Sequence, residues 1–116
     1  MTLLDRPLTY VWVPVAPVAR LTPDRGVAAL VDGWPVAVFL VADGAIHVID
    51  NIDPCSGANV LSRGLVGDVD GVPAVASPLY KQRFELTTGR CLDADVTVRV
   101  HDAHVIDDVV HVRLAP

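Results

Sequence analysis

Residues 26–50 read GVAALVDGWPVAVFLVADGAIHVID, three Val-rich apolar runs cut by Asp32-Gly33 and Asp43-Gly44. An Asp-Gly pair tolerates the positive φ that tight hairpin turns demand, so the stretch predicts consecutive antiparallel strands. Val27–Val31 and Val36–Val41 are apolar at every position. Such runs predict central strands covered on both faces, paired as the core hairpin.

The same punctuation continues outward at Asp24-Arg25-Gly26, Asp70-Gly71 and Thr88-Gly89. Five turns imply at least six strands. They are expected near Thr9–Val13, Gly26–Val31, Pro35–Val41, Ala45–Asp50, Val72–Ser77, Arg83–Thr87, Val96–Val100, His104–Ile106 and Val109–Leu114. No window has the period of an amphipathic helix, and no internal repeat or low-complexity segment is visible. Between Asp50 and Val72 the rhythm fails: residues 51–64 hold a proline, two glycines and several small polar residues, which predicts a long loop. A second break spans 77–83. Both carry enough apolar residues to be ordered, and long ordered loops in a small β domain tend to be functional.

With 116 residues, 52% of them hydrophobic and 20% charged, the chain is expected to fold as a single domain over 1–116, with residues 1–8 read as a flexible N-terminal segment. A chain of this size buries about two-thirds of its extended surface without help from a metal or disulfide. Nine Lys and Arg against fourteen Asp and Glu give a net charge of −5, which lacks the basic footprint of a nucleic-acid binder. The longest apolar run, Val36–Ala42, is too short to cross a bilayer as a helix. The start Met1-Thr2-Leu3-Leu4-Asp5-Arg6 is unlike a secretory signal, and a cytoplasmic location is expected. There Cys55 and Cys91 stay as thiols.

Several local patterns lead to no active site on their own. His101-x2-His104 followed by His111 has a zinc-like spacing, but residues three apart on a strand point to opposite faces. His104 and His111 would face each other across a turn at Asp107-Asp108, giving two ligands without a third. The histidines are therefore expected to be solvent-facing strand residues. Cys55 lies between Pro54 and Ser56 with no base beside it to activate a thiolate. The glycines of Ser62-Arg63-Gly64-Leu65-Val66-Gly67-Asp68 lack the Lys-Ser/Thr pair of a phosphate loop.

Read with their flanking strands, the two loops are more informative. Asp50-Asn51-x-Asp53-Pro54-Cys55-x-Gly57 and Ser77-Pro78-Leu79-Tyr80-Lys81-Gln82-Arg83-Phe84 resemble the two cluster-binding loops of the Rieske iron–sulfur fold. In that family the loops carry Cys-x-His and Cys-x-x-His, because one iron takes two thiolates and the other two imidazoles. The resemblance keeps both spacings, at 53/55 and 77/80, and changes every ligand. Asp53 and Ser77 stand for the thiolates, and Cys55 and Tyr80 for the imidazoles, which implies vestigial positions and no cluster or metal in this chain.

A narrower resemblance rests on Asn51-x-Asp53-Pro54, on Val60–Gly67 and on Val75–Phe84, with Ser-Pro-Leu-x-Lys-Gln-x-Phe the most specific string. These look like the small subunit of the assimilatory NAD(P)H-dependent nitrite reductase, whose Rieske-like domain has lost its ligands. The resemblance implies an all-β, antiparallel Rieske-like sandwich or barrel with loops 51–64 and 77–83 adjacent at one end. It implies an accessory chain without a catalytic site of its own, docked to a large subunit that carries siroheme, an iron–sulfur cluster and FAD and reduces nitrite to ammonium. Arg63, Lys81, Gln82 and Arg83 are the expected partner-binding residues. The other classes left open are a ligandless module of another oxidoreductase and a stand-alone Rieske-type electron carrier.

Overall fold

The computed structural model describes residues 11–116, so the expected flexible segment 1–8 and the first part of the strand expected at Thr9–Val13 lie outside the described residues. Nine strands follow in order: β1 Val13–Pro17, β2 Gly26–Val31, β3 Trp34–Leu40, β4 Ile46–Asp50, β5 Leu65–Val69, β6 Val72–Ala76, β7 Arg83–Glu85, β8 Val100–Ile106 and β9 Val109–Arg113. Among the described residues there is no α-helix, only single 3-10 turns at Val18–Arg20 and Leu61–Arg63. Every pairing between these strands is antiparallel. Six strands form one sheet in the order β1-β9-β8-β4-β3-β2, and β5-β6-β7 form a second. β1 also approaches β2, so the larger sheet curls toward closure as a near-barrel.

β3 is the hinge of the packing, because its alternate side chains feed two cores. Ala37 and Phe39 join Ile49, Leu61, Val75 and Phe84 in the core shared with the small sheet. Val36 and Val38 join Val31, Val48, Val110 and Val112 inside the curl of the large sheet. All four of these β3 residues are fully buried, each large side chain contributing about 1.5–3 kcal/mol. Central placement on both faces is thus correct for β3. It is wrong for β2, which is an edge strand with Leu30 66% exposed. An all-apolar run tells only that both faces are apolar, not that a neighbour lies on both edges.

Three further expectations are corrected. The long break after Asp50 ends at Gly64, and β5 follows it as the partner of β6; its mostly exposed side chains and central Gly67 give it no alternation to read. The strand expected at Val96–Val100 is absent, because residues 91–99 are irregular and held by isolated bridges such as Arg90 with Thr97. β8 instead starts at Val100 and runs through polar His101 and Asp102 to Ile106. β1 lies four residues further along than expected; it carries Pro14 and Pro17 at the sheet edge and a register shift between Pro14 and Ala16, the positions where a strand tolerates proline.

The turn residues behave as read. Asp24, Asp32 and Asp70 have φ of 64°, 49° and 52°, and Asp107 and Asp108 of the β8–β9 turn have 51° and 64°. His104 and His111 are register partners across that turn.

Candidate functional site

Loop 51–64 leaves β4 at Asp50 and is folded around Asn51, which is 2% exposed. The Asn51 Oδ1 accepts the N–H of Ser62 at 2.6 Å, its Nδ2 donates to Asn59 Oδ1 at 2.5 Å, and its carbonyl accepts the N–H groups of Val60 and Leu61, both at 3.0 Å. One residue, through its side-chain amide and its backbone carbonyl, thereby satisfies the backbone of the returning arm, as buried polar groups require. Leu61 is driven into the core beneath it.

At the turn of this loop Asp53 is completely buried. Its Oδ1 accepts the N–H of Cys55 at 2.8 Å, and its Oδ2 accepts the hydroxyl of Ser77 at 2.5 Å. Ser77, 1% exposed, ends the strand path of β6 and opens loop 77–83. Its Oγ also accepts the N–H of Leu79 at 3.3 Å, its N–H donates to the Gln82 carbonyl at 2.8 Å, and its carbonyl accepts the N–H of Lys81 at 3.0 Å. The two loops are therefore adjacent at one end of the molecule. A carboxylate–hydroxyl hydrogen bond joins them at the two positions matched to thiolates.

Of the other two matched positions, Cys55 is half-buried and Tyr80 is 63% exposed. Burial, the Asp53 carboxylate and Cys91 all push the Cys55 thiol above its usual range, opposite to what a nucleophile or a metal-bound thiolate needs. The four positions offer a carboxyl, a thiol, a hydroxyl and a phenol. This donor set does not fit a cluster that takes two thiolates and two imidazoles, and among the described residues no group of three or more His, Cys, Asp and Glu is placed to hold a metal.

The expected partner-binding residues differ in their surroundings. Arg63 and Lys81 are exposed and have no ion pair among the described residues. Arg83 is held by Asp93 at Nε (3.0 Å) and Nη2 (2.9 Å), and its N–H also donates to that carboxylate at 2.8 Å. Hydrogen bonds from Arg83 hold the Asp93 carboxyl at about 2. Gln82 is half-buried, and its Oε1 has no hydrogen-bond partner among the described residues.

Sequence reading did not find the polar cluster behind loop 51–64. Asp50, 8% exposed, accepts from Trp34 Nε1 (2.8 Å), Arg99 Nε (3.1 Å) and His101 Nε2 (2.7 Å). The N–H of Ala115 donates to His101 Nδ1 at 2.9 Å, so Nδ1 is the acceptor and Nε2 carries the proton given to Asp50. Arg99 also lies 4.6 Å from the centre of the Trp34 ring. The expectation of solvent-facing histidines thus fails for His101, which is 3% exposed, and holds for His104. His47 is half-buried, and burial lowers its pKa against an opposing effect of Asp43. No local signal ties residue 50 to 99 and 101, because the pairing of β4 with β8 brings them together.

The family described as Rieske-like [2Fe-2S] domain matches residues 11–113. The nitrite reductase (NADH) small subunit of Salmonella typhimurium is 42% identical over 104 residues, covering 88% of this chain and 96% of that one. A crystal structure from Mycobacterium tuberculosis, provisionally assigned as an NADH-dependent nitrite reductase small subunit, superposes with a TM-score of 0.86 at 44% identity, covering 91% of this chain and 97% of the other. The nitrite reductase [NAD(P)H] large subunit of Klebsiella oxytoca contains a segment 42% identical to this chain over 82 residues, 71% of this chain and 8% of that one. With the donor positions, the loop pairing and the near-barrel already in place, these similarities lead to one conclusion: the chain belongs to the Rieske-like [2Fe-2S] domain family, in its nitrite reductase small-subunit branch.

Proposed function

We propose that this single-domain chain is the accessory small subunit of a cytoplasmic NAD(P)H nitrite reductase of nitrate assimilation. In this reading it docks to the large subunit that carries siroheme, an iron–sulfur cluster and FAD and reduces nitrite to ammonium, while holding no cofactor and no catalytic residue itself. The observation that carries the reading is the segment similar to this chain inside the Klebsiella oxytoca large subunit. A tether raises the effective concentration of two modules that must meet. The same association in separate chains requires a surface with its own affinity, and the loop end with Arg63, Lys81, Gln82 and Arg83 is the proposed one.

The vestigial positions support an accessory role. A Rieske-type carrier moves electrons through its cluster, and Asp53, Cys55, Ser77 and Tyr80 do not supply the ligands. What these loops do instead is present a rigid surface, pinned by Asp53 and Ser77. The test is co-expression with the cognate large subunit. Co-elution at one small chain per large chain, with faster nitrite-dependent NAD(P)H oxidation than the large subunit alone, is the expected result, and separate elution with unchanged turnover would overturn the reading. The small chain alone should stay colourless after anaerobic iron and sulfide reconstitution; one or two iron equivalents would refute the cofactor-free part.

A further inference from the structure

Six non-glycine residues among those described have a positive φ: Asp24, Asp32, Asp70, Asp107, Asp108 and Lys81. Five are aspartates, whose short polar side chains make local hydrogen bonds and tolerate the left-handed region. Lys81, at φ 65°, is the exception. Its N–H donates to the Ser77 carbonyl four residues back, the bond that closes a turn whose left-handed residue is most often glycine or asparagine. The backbone at this position therefore favours a residue other than lysine.

The side chain returns nothing to the fold. The Lys81 side chain is exposed and has no hydrogen bond or ion pair among the described residues, in contrast with those of Arg83, Arg99 and Arg113, which are committed to Asp93, Asp50 and Asp102. It follows directly on Leu79 and Tyr80, which are 50% and 63% exposed. An apolar pair that is open to solvent, followed by an uncommitted cation on a pinned turn, has the composition of an interface core with a charged rim. Strained backbone kept at an exposed site points to a role for the side chain outside the fold.

We infer that Lys81 is the principal recognition cation of this chain, reading a carboxylate at the rim of an apolar recess that receives Leu79 and Tyr80 on the large subunit. Arg83 is excluded from that role by its hold on Asp93, and Arg63, equally unpaired, lacks the left-handed backbone that singles out Lys81. The inference rests on the docking reading above and narrows it to one residue and one partner chemistry. An acidic target agrees with the charge balance: on a chain of net charge −5, an uncommitted cation at the tip orients the approach to a carboxylate.

The experiment measures association of the parent, Lys81→Gly and Lys81→Asp with the cognate large subunit at 50 mM and 500 mM salt, together with each variant's melting temperature. Glycine relieves the left-handed strain and removes the charge, whereas aspartate keeps a residue type that this fold places at five such positions and reverses it. The expected result is a melting temperature ~2–4 °C higher for Lys81→Gly. Association at low salt should be ~3–10-fold slower for Lys81→Gly and slower still for Lys81→Asp, with the differences largely lost at high salt. A stabilised Lys81→Gly that associates at the parent's rate overturns the inference, and so does a Lys81→Gly that melts lower, since lysine would then serve the fold. If the parent itself does not bind the large subunit, the docking reading fails as well, an outcome distinct from equal binding by parent and variants.

Discussion

Asp50 shows how much one side chain does behind the loop end. Burial raises the pKa of its carboxyl, but hydrogen bonds from His101, Trp34 and Arg99 outweigh that effect and hold it at about 2, below its ordinary 3.8. A carboxyl held down in the fold stabilises it at pH above the unfolded value, and that stability is lost as pH falls toward the folded value. The contribution is on the order of 2 kcal/mol and should disappear between about pH 4 and pH 2. Asp50→Asn is therefore expected to be less stable than the parent at pH 7, with the gap narrowing by at least half at pH 2, as measured by urea unfolding at both pH values. A gap independent of pH would mean that Asp50 acts by shape alone. At this scale Asp53, Cys55, Ser77 and Tyr80 were legible, because their spacing is a property of the chain. The commitment of Arg83 to Asp93 was not, because Asp93 comes from the irregular stretch after β7.

Single elements carry their own constraints, and the junction between loop 51–64 and β5 is the tightest. Gly64 has an ordinary φ of −71°, but a Cβ there would lie 2.4 Å from the Ala76 carbonyl oxygen and 2.5 Å from Val75 Cγ2. Backbone oxygen cannot move aside without opening the β5–β6 register, in which Leu65 pairs with Ala76. Gly64→Ala should therefore cost about 1–3 kcal/mol. Gly67→Ala, three residues along in the same region with nothing within 4 Å of the added Cβ, should change stability by no more than ~0.5 kcal/mol. Chemical denaturation of the two variants side by side checks the pair; equal losses would show that glycine's flexibility, not its size, matters at 64. The turns around these elements were readable from Asp-Gly pairs. β5 was not, since an exposed edge strand with a central glycine carries no period-2 signal.

In the whole molecule, two of the seven strand pairings join residues distant in sequence and close the large sheet. Val13 pairs with Val112, 99 positions away, and Val48 pairs with His101, 53 positions away. Closing such loops costs entropy before the contacts compensate. Refolding is accordingly expected in milliseconds to seconds rather than microseconds, in stopped-flow tryptophan fluorescence that follows Trp34 beside Arg99 and Trp12 beside Arg113. A dominant microsecond phase that recovers the full native signal would contradict this topology argument. The same long-range closure joins loop 51–64 to loop 77–83 through the hydrogen bond between Asp53 and Ser77.

The sequence by itself determined the strand-rich class, the turn positions, the two long loops and the residue types at positions 53, 55, 77 and 80, because each of these depends on residue type and on spacing along the chain. Tertiary structure alone decided that β2 is an edge and β3 a centre, although both runs are equally apolar, since strand order is set by which partners the rest of the chain supplies. It also decided that His101 is buried against Asp50, that Arg83 is occupied while Lys81 is free, and that Lys81 sits in a left-handed turn. Each of those outcomes depends on residues far away in sequence, or on a backbone angle imposed by the hydrogen bonds that close a loop, and neither is written in the local pattern.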